Sequence, residues 1–249
     1  MDSSLQGKAV LITGAAKRVG AEIARVLHGA GADVALHYRS AAAEAQALVA
    51  EFNDARAGSA LAFQVDLLDV EHLARLVEEA AGHFGRLDAL VNNASSFYAT
   101  PVGSIGAREW DDLVGTNLRA PLLLAQAAAP HLAISRGAIV NITDIHAELP
   151  LKDYLLYCVA KAGLAGLTRA LALELGPDVR VNGIAPGPIL WPEDGTFDAS
   201  AQAKVISRTP LKRNGEPSDI ARTVLFLLAG APYVTGQILA VDGGRSICL

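Results

Sequence analysis

Short aliphatic and β-branched runs alternate with Ala-rich stretches of helical period along the whole of this 249-residue sequence. Parallel strands need a crossover between them, usually a helix, so the alternation predicts repeated strand-helix-strand units. Seven strands are expected, at 8–13, 33–38, 60–65, 87–91, 137–143, 180–184 and 237–241, with the clearest helices at 18–30, 69–84, 154–175 and 217–228. The fold class that follows is α/β: a single doubly wound domain over residues 1–249, with a seven-stranded parallel sheet and helices on both faces. Residues 185–215 interrupt the pattern. Their Pro and Gly residues, weak period and position after a strand end predict a substrate-binding loop or lid with short helices.

Composition narrows the function classes. Apolar residues make up 51% of the chain, but Gly, Pro or charge breaks every block before it reaches the ~18 residues of a membrane span, and no membrane partner is expected. A net charge of -5 and the lack of a Lys/Arg stripe exclude long-range attraction to nucleic acid. Cys158 and Cys248 have neither CxxC nor metal-ligand spacing, so reduced, non-catalytic thiols and no metal site are expected. The polar start at 1–8 lacks the succession of a secretory signal, which predicts a cytoplasmic location.

The first strand ends in Thr13-Gly14-Ala15-Ala16-Lys17-Arg18-Val19-Gly20 and leads into a helix. Backbone amides at a helix N-terminus above a sheet edge bind diphosphate, the Rossmann-like arrangement. Arg18 is either a solvated surface cation or an anion ligand; a cation in a first helical turn opposes the macrodipole unless an anion faces it. The second strand ends in His37-Tyr38-Arg39-Ser40, where an NAD site would place a carboxylate for the ribose hydroxyls. A guanidinium beside a hydroxyl suits a 2′-phosphate instead, so the expected cofactor is NADPH/NADP. The alternative is that Arg39 merely begins a solvated helix.

Tyr157 and Lys161 are four residues apart on one helix face, just after the strand that ends Asn141-Ile142-Thr143-Asp144. An ammonium beside a phenol is expected to lower its pKa from near ~10 and make Tyr157 a proton donor. Tyr154 has Cys158 four residues on and lacks that cation, which makes it packing or pocket wall. Asp66 follows the third strand, Asn92-Asn93-Ala94 the fourth and Pro186-Gly187 the sixth, and Asn117 sits within the helix after the fourth; each alone is ordinary turn or cap chemistry.

Together these motifs resemble the short-chain dehydrogenase/reductase superfamily over essentially the whole chain, to Val241-Asp242-Gly243-Gly244. Asp144 stands where a typical member has Ser. An ionised Asp accepts rather than donates and repels a developing oxyanion, which disfavours ordinary ketone reduction. Asp144 with Tyr157 and Lys161, TGAAKR at 13–18, HYRS at 37–40, NNASSFY at 92–98 and PGPILW at 186–191 are similar to the pteridine reductases.

That resemblance implies reduction of a dihydropterin by hydride transfer to a C=N carbon, with dihydrobiopterin, dihydromonapterin and dihydrofolate left open. It implies Asp144, Tyr157, Lys161 and Asn117 as the catalytic set. Cofactor contacts are implied for Gly14, Lys17, Arg18, Val19, His37 to Ser40, Asp66, Leu67, Asn93, Ala94, Ser95, Tyr157, Lys161, Pro186, Gly187 and Ile189. Arg18, Ser95, Phe97, Asp144, Tyr157, Leu190 and Trp191 are implied around the substrate, with the flat pterin stacked on Phe97. Residues 191–207 are implied to line the substrate tail, and a homotetramer to pack through the last two helices and the C-terminal strand. Some members place a C-terminal Arg in a neighbouring subunit's site, a contact not expected of Ile247-Cys248-Leu249. Two other readings stand beside this one: a reductase of another imine, quinone or carbonyl, and a non-catalytic NADPH-binding sensor.

Overall fold

A computed structural model describes residues 4–191 and 197–248 of the chain. Its seven strands are β1 (Ala9–Ile12), β2 (Asp33–Tyr38), β3 (Ala60–Gln64), β4 (Ala89–Asn92), β5 (Ala138–Ile142), β6 (Arg180–Pro186) and β7 (Ile238–Val241). All pair in parallel, in the order β3-β2-β1-β4-β5-β6-β7. Helices α1 (Arg18–Gly29), α2 (Ala42–Ala55), α3 (Val70–Phe84), α4 (Ala107–Val114), α5 (Ala120–Ser135), α6 (Leu155–Leu175), α7 (Ala199–Ser207) and α8 (Pro217–Leu225) cover both faces.

The residues of β1 show why the strands are so apolar. Val10 and Ile12 pack with Ile23 and Leu27 of α1 and Ile220 and Val224 of α8. Leu11 points the other way, among Leu73 and Leu76 of α3 and Leu124 and Leu132 of α5. With both faces covered, a parallel strand has no polar side to show. The strand order reverses between β1 and β4, which opens a crevice above their carboxyl ends, where such sheets bind ligands.

Several boundaries differ from expectation for local reasons. The helix expected at 217–228 ends at Leu225 and continues as a π-helical turn over Phe226–Gly230. A second π-helical turn, Gly115–Arg119, joins α4 to α5. Within 185–215, β6 runs to Pro186 and α7 occupies Ala199–Ser207, while residues 192–196 lie outside the described residues. Helix α6 is long and apolar enough to cross a membrane by composition, yet its buried residues include Lys161 and Thr168 at the heart of the fold.

Arg180, the first residue of β6, closes the C-terminal end of the α8 segment. Its guanidinium donates to the carbonyls of Leu227 (2.7 Å), Ala231 (3.1 Å) and Leu228 (2.9 Å). Arg180→Leu takes this donor from all three carbonyls, leaving Ala231 only the Val234 amide at 3.2 Å, and should destabilise the fold by about 2–4 kcal/mol. Urea unfolding midpoints read this directly, and a shift within error of zero would contradict it.

Candidate active site

The turn after β1 is shaped by what a side chain would strike. Gly14 has φ +63, and a Cβ there would lie 2.9 Å from the Ala94 Cα; one on Gly20 would collide with the Gly14 carbonyl oxygen. Loss of both side chains lets α1 begin directly above the sheet edge with its amides open to the crevice. Thr13 Oγ1 accepts from the amides of Asn93 (2.9 Å) and Ala94 (3.0 Å), and Asn93 Nδ2 donates to the carbonyls of Thr13 (2.9 Å) and Gly14 (3.1 Å). The β1 and β4 turns are thus laced into one platform.

His37 braces that platform from below. Its buried ring accepts from the Gly14 amide at Nδ1 (3.1 Å) and donates from Nε2 to the Val65 carbonyl (3.0 Å). Burial lowers its pKa, which keeps the ring neutral, and these two partners fix the tautomer. Lys17 is ion-paired to Glu44 of α2 at 2.6 Å. Arg18 adopts φ +55 and donates to the carbonyls of Leu190 (3.2 Å) and Trp191 (3.0 Å), so the first turn of α1 reaches across to the loop after β6. One oxygen of Asp66 accepts from the Leu68 amide at 3.0 Å, the ordinary turn role; the residue also lines the cleft.

These groups border one cleft of ≈ 740 Å³. It runs from Arg39 and Ser40, past the Gly14 turn, to Asp144, Tyr157 and Lys161 at the far end. The volume and length suit a dinucleotide, and the glycine cradle with Arg18, Arg39 and Ser40 supplies amides and cations for its phosphates.

At the far end, Tyr157 Oη donates to Asp144 Oδ2 at 2.6 Å. The other carboxylate oxygen accepts from the His146 amide at 2.8 Å and caps the short 3-10 turn Ile145–Ala147. Lys161 Nζ is buried, donates to the Ile142 carbonyl at 2.9 Å and lies 5.7 Å from the centre of the Tyr157 ring. Phe97 stacks on Tyr154 (4.6 Å, 18°) and meets Tyr157 edge-on (4.8 Å, 82°), while itself lining the cleft. Tyr154 therefore backs the aromatic wall.

A model of the family described as enoyl-(acyl carrier protein) reductase matches residues 14–246. The chain belongs to the short-chain dehydrogenase/reductase family. Pteridine reductase 1 from Leishmania tarentolae is 38% identical over 99% of this chain and 99% of its own. A 3-oxoacyl-[acyl-carrier-protein] reductase from Staphylococcus aureus is 34% identical over 95% of this chain and 97% of its own. Among solved structures, a blue fluorescent protein from a metagenomic library in complex with NADPH superimposes with a TM-score of 0.90 at 36% identity, covering 97% of this chain and 99% of that one. A putative short-chain alcohol dehydrogenase from Sinorhizobium meliloti 1021 does so with a TM-score of 0.93 at 34% identity, covering each chain entirely.

As a short-chain dehydrogenase/reductase, the chain is an oxidoreductase that works with a nicotinamide dinucleotide, and its fold agrees strand for strand with the sheet expected from sequence. Of the site residues expected, all line the cleft except Asn117. That residue is fully buried in the π-helical turn and accepts from Ser95 Oγ at 2.6 Å while its amide donates to the carbonyls of Ser96 and Leu113, both 2.9 Å. It shapes the wall through Ser95 rather than forming it.

A correction concerns the acidity of Tyr157. Burial first, then the neighbouring Asp144 carboxylate, push the phenol well above its ordinary value, not below it. Burial also draws the Lys161 ammonium down to about 8, with Asp144 opposing the shift. With burial and the carboxylate in contact both raising the phenol, Tyr157 is a protonated donor throughout the physiological range. Phe197 and Val205 also line the cleft and fall within the 191–207 stretch expected to face the substrate tail, whereas Leu151 and Arg245, which line it too, come from two separate segments with no shared motif and are not found by sequence reasoning.

Proposed function

We propose that the protein is an NADPH-dependent pteridine reductase that converts dihydropterins to their tetrahydro forms. The observation that carries this reading is the 2.6 Å contact between Tyr157 and Asp144. A ketone reductase needs a second hydroxyl donor beside the phenol to hold the substrate oxygen. Here a carboxylate is in that place, which suits a substrate presenting N–H groups and needing a proton at ring nitrogen. A dihydropterin has both: N–H groups on its amino-pyrimidine edge, and the pyrazine-ring nitrogen of the reduced C=N bond, which takes the proton. The 38% identity to a pteridine reductase supports the same reading, although a ketoacyl reductase is nearly as similar at 34%.

Bound NADPH supplies the hydride that reduces the C=N carbon. Arg39 and Ser40 suit its 2′-phosphate, and Arg18 with the Gly14 turn its diphosphate. Phe97 offers a face for the pterin ring. Tyr157 donates its hydroxyl proton to the ring nitrogen, Asp144 orients that hydroxyl and passes on the replacement proton, and Lys161 holds positive charge behind the phenol. A homotetramer fits this reading too: edge strand β7 exposes Leu239, with Phe226 and Tyr233 also exposed on the neighbouring segment.

Loss of NADPH absorbance in the presence of dihydrobiopterin tests the function. Turnover of dihydropterin in preference to a panel of ketones, quinones and 3-oxoacyl thioesters is expected; turnover of the panel alone would overturn it. The Lys161 charge sets the alkaline limb. As pH rises through about 8 the ammonium is lost, the phenol loses its cationic neighbour, and kcat/KM should fall with one proton released. A profile that stays flat beyond that pH would remove Lys161 charge from the mechanism.

A further inference from the structure

Arg245 follows β7 in the C-terminal 3-10 turn Arg245–Cys248 and borders the substrate end of the cleft beside Val205 of α7, Phe197 and Trp191. Its Nη1 donates to the Val205 carbonyl at 3.2 Å, which ties the half-buried guanidinium to α7 and leaves it further donors. The acid that faces it, Asp242, is engaged with backbone: its oxygens accept from the amides of Gly244 (2.8 Å) and Ser246 (2.7 Å). Burial and the nearby Arg208 oppose the charge on Arg245, while Asp242 offsets them only in part. A cation partly desolvated beside another cation is costly unless an anion completes the site. Trp191 and Phe197, with ring centres 5.5 Å apart, form an aromatic pair on the same cleft.

We propose that Arg245 is a specificity-determining residue that receives a carboxylate at the end of the substrate's side chain, so that substrates with an acidic tail are preferred over those with a neutral one. This rests on the pteridine reading and adds the charge of the tail. A planar guanidinium matches a carboxylate through paired N–H···O bonds, and the aromatic pair accommodates an aryl or alkyl spacer between ring and acid. In this role Arg245 holds the tail and takes no part in proton or hydride transfer.

The test compares dihydrofolate, whose glutamate tail is anionic, with dihydrobiopterin, whose tail is neutral, on the full-length enzyme and on Arg245→Gln and Arg245→Lys. Arg245→Gln should raise KM for dihydrofolate at least about tenfold more than for dihydrobiopterin, with little change in the kcat ratio. Arg245→Lys should recover part of the difference, and added salt should raise KM for dihydrofolate in the unaltered enzyme alone. Equal KM changes for the two substrates would overturn the proposal while leaving the pteridine reading intact. Weaker NADPH binding by Arg245→Gln would place the guanidinium on the cofactor and overturn it as well. If the unaltered enzyme reduces neither pterin, the parent reading fails and the carboxylate site falls with it.

Discussion

Tyr157→Phe should lower kcat for dihydropterin reduction by about 10²–10⁴-fold, the range that a positioned proton donor supplies. The change removes one oxygen, the atom that donates to Asp144 at 2.6 Å. The ring that remains keeps its edge-on contact with Phe97 at 4.8 Å, so the aromatic wall stays in place. NADPH affinity, read by fluorescence titration, should therefore stay within a few-fold. A variant that binds cofactor and turns over at nearly the original rate would show that the proton comes from elsewhere. It would also revive the reading of the fold as a binding module whose tyrosine is incidental.

Asp144→Asn should lower pterin turnover by about 10²-fold, since the amide keeps the shape of the carboxylate but can neither carry a proton nor charge. Its backbone role survives, because an amide oxygen can still accept from His146. The phenol should respond in the opposite sense. With the carboxylate gone, one of the causes that raise the Tyr157 pKa disappears, and its titration moves down. Asp144→Ser takes the comparison further by restoring a hydroxyl donor. The ratio of ketone to pterin turnover should rise in that variant, by both loss of the acid and gain of a donor for an oxyanion. Unchanged ratios in both variants would reduce Asp144 to the cap of the Ile145–Ala147 turn.

How much was legible depended on whether the physics was local. The Gly14 turn could be read because its residues are forced by backbone geometry: a Cβ on Gly20 has nowhere to go. The Tyr157 and Lys161 pair could be read because one helical turn separates them. The direction of the Tyr157 pKa could not, since it depends on a carboxylate thirteen residues away and on burial that only the packed fold creates. Asn117, implied as catalytic by the resemblance, lies in the π-helical turn behind Ser95, a placement that its position in sequence does not reveal. Helix α5 gave no amphipathic signal, because its sequence APLLLAQAAAP is apolar nearly all round. Arg18 was expected at the phosphates and the substrate, but nothing in the sequence showed that its left-handed backbone also aims the guanidinium at the carbonyls of Leu190 and Trp191. Contacts of that kind join residues about 170 apart and leave no trace in spacing.

The account turns on whether a flat nitrogen heterocycle lies between Phe97 and the nicotinamide, with its nitrogen presented to Tyr157. A crystal structure with NADP and a pterin analogue measures this directly. The expected result is a pterin stacked on Phe97, with a ring nitrogen within about 3 Å of Tyr157 Oη and its amino edge toward the phosphates held by Arg18. A pterin bound elsewhere, or a Phe97 ring facing only Tyr154 with no ligand against it, would contradict the account and leave a short-chain reductase of another substrate.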